Sequence, residues 1–147
     1  VAFVDEIIEI LRQQPVPLQQ LCVELTETSA IQQIEDAGIG MRKLAAAGLS
    51  MVLDDFGSGW SSYQYLRRLP FDVVKVDGAF IRDITRTAED RALPSSINEI
   101  AHLLGKQTVA EHVEDQQTLD AVRAIGFDYA QGYLIGKPVP LSELLGT

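Results

Sequence analysis

Five short apolar runs recur along the chain, and each ends at or just before a polar side chain. The runs cover residues 21–25, 50–53, 73–76, 108–110 and 127–130, and each is followed by a turn and a helix-like segment. Strands that alternate with helices predict parallel strand–helix units. The polar residues at the ends of the runs are Glu24, Asp54, Asp55, Lys75, Glu111 and Gln131.

Helical periodicity fills the segments between these runs. The first helix is predicted near the start of the chain, where the apolar face consists of Phe3, Val4, Ile7, Ile8 and Leu11. A second helix is predicted over residues 36–47 and should be closed by a left-handed cap at Gly48. A third is predicted over residues 94–104, with Pro94 in its first turn.

The polar residue is the last inward-facing position of each strand, because side chains alternate along a strand. Cys22 shares a face with Glu24, and Val73 shares a face with Lys75. In a parallel α/β barrel the carboxyl ends of the strands form the catalytic face. Helix capping is the alternative, and it fits Glu27 but does not account for a lysine. The pattern therefore predicts one shared site.

Length limits how much of a barrel this chain can form. A complete eight-stranded barrel typically needs about 250 residues, and this chain has 147. It can supply about five strand–helix units, so we predict an incomplete (β/α)8 barrel that forms one structural unit.

Composition and charge narrow the functional classes. The 21 acidic and 12 basic side chains give a formal net charge of -9, which argues against DNA as a partner. No apolar run approaches the ~20 residues of a membrane helix. The single cysteine, Cys22, lies in an apolar run, so we expect a core residue in a reducing, cytoplasmic protein.

The oxygen-rich set at the strand ends suits Mg²⁺ or Mn²⁺ better than zinc. Glu24, Asp54 and Asp55 could hold two ions about 3.5–4 Å apart, the spacing that clamps both oxygens of a phosphodiester in cleavage. Asp54 and Asp55 would face opposite ways in a regular strand, so both reach a metal only if the glycine loop after them bends the chain. Lys75 would orient water or stabilise charge, and Glu111 would be a general base or a further ligand.

Spacing alone leaves a second chemistry open. Several carboxylates and a lysine at successive strand ends also fit enolase-type proton abstraction, with Mg²⁺ and a lysine base.

The residue sequences of five ordered motifs distinguish between phosphodiester cleavage and enolase-type proton abstraction. The motifs are Glu24-Leu25-Thr26-Glu27, the Asp54 to Ser62 loop, Val74-Lys75-Val76-Asp77, Ala110-Glu111-His112-Val113-Glu114, and Ala130-Gln131-Gly132-Tyr133 with Lys137-Pro138. Together they closely resemble the EAL domain, a family of bacterial cyclic di-GMP phosphodiesterases. The resemblance implies a modified (β/α)8 barrel that hydrolyses cyclic di-GMP to linear 5'-pGpG with two Mg²⁺ or Mn²⁺ ions.

The resemblance also implies a role for each matching residue. Glu24, Asp54 and Asp55 would be metal ligands, Lys75 the catalytic lysine, and Glu111 a general base or ligand. Glu114 and Gln131 would support the site, and Pro138 would lie near the guanine-binding region. Glu27 would anchor the glycine loop, which comprises Phe56, Gly57, Ser58 and Gly59.

Departures from the family pattern qualify this implication. Residues 1–147 resemble the C-terminal portion of a single EAL domain, without the Glu-Ala-Leu motif and an asparagine ligand, so we expect this portion alone to be impaired. His112 replaces the usual glycine, where its ring could crowd the site or tune Glu111. The family likeness further implies a homodimer and an upstream sensor or GGDEF domain. A degenerate EAL domain, acting as a cyclic di-GMP receptor or protein-interaction module, is the alternative.

Overall fold

Five parallel strands form one sheet in the computed structural model, which describes residues 2–32, 34–57 and 64–145. The strands lie in chain order across the sheet, and every neighbouring pair is parallel. They are β1 (Cys22–Thr26), β2 (Ser50–Phe56), β3 (Val73–Val76), β4 (Gln107–Ala110) and β5 (Tyr129–Ala130). The predicted parallel strand–helix architecture is confirmed.

Helices precede, connect and follow these strands. They are α1 (Ala2–Arg12), α2 (Glu27–Gln32), α3 (Ile34–Ala46), α4 (Gln64–Arg68), α5 (Gly78–Ile81), α6 (Ala88–Leu103), α7 (Gln116–Ile125) and α8 (Leu141–Leu145), with a short 3-10 helix at Leu18–Gln20. The predicted cap after α3 is present, since Gly48 has a φ of +104°.

Strand β2 is longer than the apolar pattern predicts. The apolar run ends at Leu53, but β2 continues through both aspartates to Phe56, which pairs with Val76 of β3. The register shifts between Leu53 and Phe56 because the chain bulges there. The bulge keeps Asp54 and Asp55 within β2, whereas the apolar run predicts that the strand ends before them.

The prediction that Pro94 lies in the first turn of its helix is wrong. Helix α6 starts six residues earlier, at Ala88, where the Thr87 hydroxyl accepts a hydrogen bond from the Asp90 amide (3.0 Å). This cap satisfies an orphan amide and fixes the start. Pro94 lies buried inside the helix, where it lacks the amide that would bond to the Asp90 carbonyl.

The hydrophobic core lies between one face of the sheet and the helices. Its buried members include Met51 and Leu53 of β2, Val74 and Val76 of β3, Met41 and Leu44 of α3, Ile97 and Ala101 of α6, and Val122 of α7. Burying each large aliphatic side chain stabilises the fold by about 1.5–3 kcal/mol. This packing fixes the strands and therefore the side chains at their carboxyl ends.

The assignment of Cys22 to the core is also wrong. Cys22 is exposed, and along β1 exposure alternates so that Cys22 and Glu24 share the open face. Val23 and Leu25 point the other way and pack against the core. An apolar run shows that a strand is present, but it does not show which face is covered.

Across the described ranges, no helix combines the length and the apolar character needed to cross a bilayer.

Candidate active site

Four strand ends bring their polar side chains together around one ammonium group. Lys75 Nζ lies 2.8 Å from Asp54 Oδ1, 2.9 Å from Glu111 Oε1 and 3.3 Å from Glu24 Oε2. Lys75 and Glu111 are buried, whereas half of the Glu24 side chain is exposed. The parallel register of β1 to β4 produces this convergence, as the alternation pattern predicts.

Both aspartates of β2 face the same site. Carboxylate oxygens of Asp54, Asp55 and Glu111 all lie within 4.8 Å of one another. Asp55 has a left-handed backbone, with a φ of +55°, within the stretch where the register shifts. The expected bend is therefore present, but it lies at Asp55 itself rather than in the glycine loop that follows.

The site carries an excess of negative charge. Four carboxylates, those of Glu24, Asp54, Asp55 and Glu111, surround one lysine. Burial raises the pKa of Glu111, Lys75 opposes that shift, and the two aspartates add to it. A divalent cation would supply the positive charge that this arrangement lacks.

Lys75 remains an ammonium in this setting. Burial alone would lower its pKa, but hydrogen bonds to Asp54 and Glu111 and the charges of Glu111 and Glu24 raise it overall. A lysine held by three carboxylates donates hydrogen bonds and does not act as a base. This geometry disfavours the enolase-type alternative, which needs a neutral lysine.

The residues present fit a hard divalent cation. Glu111 Oε2 is buried and has no hydrogen-bond partner among the described residues, which is costly unless a ligand engages it. The neighbouring donors are all carboxylate oxygens, the type that Mg²⁺ and Mn²⁺ prefer. Asp54, Asp55 and Glu111 are thus the group best placed to hold an ion.

A hydrogen bond to a buried glutamate holds the glycine loop at Gly57. The Gly57 amide donates a hydrogen bond to Glu27 Oε2 (3.1 Å), and Glu27 is almost completely buried. Gly57 has a φ of +101°, which favours glycine, and Phe56 before it is buried. Ser58 and Gly59, which we also assigned to this loop, lie outside the described residues.

Glu114 and Gln131 lie beside the site. With Glu111 they line a cavity of about 290 Å³, to which Arg82 and Tyr133 also contribute. Sequence reasoning missed Arg82 and did not give Tyr133 a role. Arg82 follows helix α5, not a strand, so the strand-end rule could not find it.

Pro138 lies in an adjoining cavity of about 450 Å³, which Gln131 also lines. There the Lys137 ammonium lies 5.1 Å from the centre of the Tyr133 ring, within cation–π range. Gln131 therefore borders both cavities.

A larger cavity, of about 710 Å³, is lined by residues of α6 and α7. Asn98 and His102 line it, and none of the predicted site residues does. Cavity size alone would therefore point away from the cluster that carries ionisable groups.

Comparison with known proteins gives the same family as the motifs. A family model described as the EAL domain matches residues 1–138. The cyclic di-GMP phosphodiesterase PdeB of Shewanella oneidensis is 47% identical over 128 residues, which are 87% of this chain and 15% of that protein. The chain thus spans less than a fifth of the length of this relative.

Solved structures share the fold. The EAL domain of Mycobacterium smegmatis DcpA has a TM-score of 0.88 at 30% identity, covering 98% of this chain and 65% of that one. Klebsiella pneumoniae BlrP1, in a manganese and cyclic di-GMP complex, has a TM-score of 0.82 at 30% identity, covering 89% and 33%. EAL domains have a TIM-like barrel fold, and the five parallel strands seen here are part of it. The chain therefore belongs to the EAL domain family.

Proposed function

We propose that this chain carries the catalytic end of a domain that hydrolyses cyclic di-GMP to linear 5'-pGpG. The observation that carries the proposal is the cluster in which Asp54, Asp55 and Glu111 carboxylates meet within 4.8 Å beside the Lys75 ammonium. In this reaction a water oxygen bonds to phosphorus, the bond from phosphorus to one ribose oxygen breaks, and that oxygen takes up a proton to become a hydroxyl of the linear product.

Two Mg²⁺ or Mn²⁺ ions, when bound, would polarise the phosphodiester and lower the pKa of the attacking water. Asp54, Asp55 and Glu111 would hold the first ion, and Glu24 offers a half-exposed carboxylate nearby. The manganese and cyclic di-GMP complex of the related BlrP1 supports both the metal and the substrate.

Lys75 would act by orientation and charge. Its ammonium is fixed by three carboxylates, so it can donate a hydrogen bond to water or phosphate without a change in its own protonation. A preorganised donor in a buried site stabilises developing negative charge more effectively than water does. The lysine is therefore assigned as a catalytic donor.

Where Glu111 acts as the general base and not as a metal ligand, it would accept the proton of the attacking water. Its Oε1 contacts Lys75, while its Oε2 has no partner in the described parts of the chain. Burial raises the pKa of this carboxyl, which makes its carboxylate a stronger base than an exposed one. Proton acceptance at Oε2 is compatible with Oε1 remaining hydrogen-bonded to Lys75.

Three further residues would contact or orient the substrate. Glu114 and Gln131 border the cavity that contains Glu111, and Pro138 borders the adjoining one. Glu27 would hold the start of the glycine loop through the Gly57 amide.

The wider setting follows from the family. Residues 1–147 would form the C-terminal portion of one EAL domain in a cytoplasmic region of a larger signalling protein. A homodimer and an upstream sensor or GGDEF domain remain predictions that follow from the resemblance.

Incubation of the full-length protein with cyclic di-GMP and Mn²⁺, followed by chromatography, tests this function. Wild-type protein should form the linear dinucleotide, and Glu111→Ala should not. A protein that binds cyclic di-GMP without converting it would instead be the receptor that the degenerate alternative describes.

A further inference from the structure

The turn that carries Glu111 is interlocked with the strand end on each side of it. Two glycines, Gly78 after β3 and Gly132 after β5, leave room for this turn. A Cβ at Gly78 would overlap the ring of His112, and a Cβ at Gly132 would overlap the backbone of Val113. The His112 ring and the Val113 backbone therefore fill the space that side chains at Gly78 and Gly132 would otherwise take.

Hydrogen bonds tie the same turn to the same two neighbours. The Glu111 amide donates to the Val76 carbonyl (3.3 Å), and the Val113 amide donates to the Gln131 carbonyl (3.0 Å). The Val113 carbonyl accepts from the Leu134 amide (3.2 Å). Glu111 and Val113 are thus both anchored, and His112 between them contributes the side chain that covers Gly78.

His112 holds this place with an uncommon backbone conformation. Its φ is +55°, in the left-handed region that non-glycine residues rarely adopt. The residue is exposed, so burial of apolar area does not by itself explain the conformation. Strained residues persist where the surrounding structure over-determines them, and they cluster at functional sites.

We propose that His112 is a positioning residue, whose ring over Gly78 fixes the turn that aims the Glu111 carboxylate at Lys75. This inference rests on the proposed function for its effect on turnover. The contact between the His112 ring and Gly78 depends on the shape of the ring. A ring of similar size should therefore substitute for the imidazole.

The first test compares His112→Gly with His112→Phe in the full-length protein. Glycine relieves the left-handed strain, so Tm should be unchanged or higher by up to about 4 °C. The loosened turn should nevertheless lower kcat roughly tenfold or more with little change in KM, because small misplacements of a catalytic group are costly. His112→Phe should keep kcat within about threefold of wild type, as expected if ring shape positions the turn.

The second test measures the coupling of the two positions. Gly78→Ala should lower both Tm and kcat when His112 is present, and it should cost much less in a His112→Gly background, since contacting residues are not additive. Gly136→Ala is the control for Tm, because a Cβ there would meet no atom within 4 Å.

Several results would overturn the proposal. The first is a kcat for His112→Gly within about twofold of wild type. The second is a loss of kcat for His112→Phe as large as for His112→Gly. The third is an equal loss of Tm and kcat from Gly78→Ala in both backgrounds.

If the wild-type protein hydrolyses no cyclic di-GMP, the proposed function itself fails, and the Mn²⁺ affinity measured by calorimetry then tests the positioning role. Weaker Mn²⁺ binding by His112→Gly than by wild type would then support the positioning role, and equal binding would refute it.

Discussion

Gly57, in the glycine loop, is under two separate constraints. Its φ of +101° disfavours any L side chain, and a Cβ there would lie 2.8 Å from Phe80 Cε2. We expect Gly57→Ala to destabilise the protein by about 2–3 kcal/mol, the sum of backbone strain and overpacking.

Gly105 provides the matched control for this prediction. It also has a positive φ, of +71°, but a Cβ there would meet nothing within 4 Å. Gly105→Ala should therefore cost only about 1 kcal/mol, the backbone part. Equal losses for the two variants, measured by denaturant unfolding, would show that Phe80 does not restrict the loop.

The carboxylate of Asp128, the residue just before β5, links the start of this strand to β4 and α6. Asp128 Oδ2 accepts hydrogen bonds from the Thr108 amide of β4 (2.7 Å), and it lies 2.8 Å from His102 Nε2 in the last turn of α6. Burial opposes ionisation of Asp128, but the partners His102 and Thr108 prevail and lower its pKa from 3.8. His102 therefore takes part in a structural contact between α6 and the start of β5.

This network makes the stability of the fold depend on pH at the acid end of the range. Because the folded-state pKa of Asp128 is lowered, its contribution is fully present above 3.8 and is lost as the pH falls from there through the lowered value. Asp128→Asn should reduce stability by about 1 kcal/mol near neutral pH and flatten the acid side of the pH–stability curve.

Asp83→Asn is the control for the charge effect. Asp83 pairs with Arg86 on the exposed surface (3.0 Å), where an ion pair contributes little. An acid limb that changes as much for Asp83→Asn as for Asp128→Asn would contradict the role given to the β4–β5–α6 network.

The strands and their terminal side chains could be predicted because they depend on local alternation. Lys75 and Glu111 fall at strand ends for that reason, and the structure brings them together. The bulge at Asp55 depends on pairing between β2 and β3, which one segment does not encode. Cys22 was misplaced for a related reason, since which face of β1 is covered depends on the other elements.

Helix α6 shows a second limit of local patterns. Proline favours the first helical turn, but the Thr87 cap fixes an earlier start and leaves Pro94 inside. The sequence singles out His112 beside Glu111, but it does not predict the contact with Gly78, because the two residues lie far apart in sequence and meet only in the fold.

The sheet has two unpaired edges in the part of the chain that the structure describes, at β1 and at β5. Large apolar side chains are exposed at and beyond β5, among them Tyr129, Tyr133, Ile135 and Leu144. Unpaired edges and apolar patches promote association. We therefore expect the 147-residue chain, expressed alone, to form dimers or larger species in light scattering. A monomeric profile with a cooperative melt would contradict this expectation.

The comparison of turnover with affinity in the full-length protein tests the catalytic role of the strand-end cluster most directly. Cyclic di-GMP hydrolysis and cyclic di-GMP binding would be measured with Mn²⁺ for wild type and Lys75→Ala. We predict that the wild-type protein hydrolyses the dinucleotide and that Lys75→Ala loses about 10²-fold or more in kcat, while its affinity changes less than about tenfold. Absence of hydrolysis by the wild type, or equal losses of turnover and binding in the variant, would contradict the account.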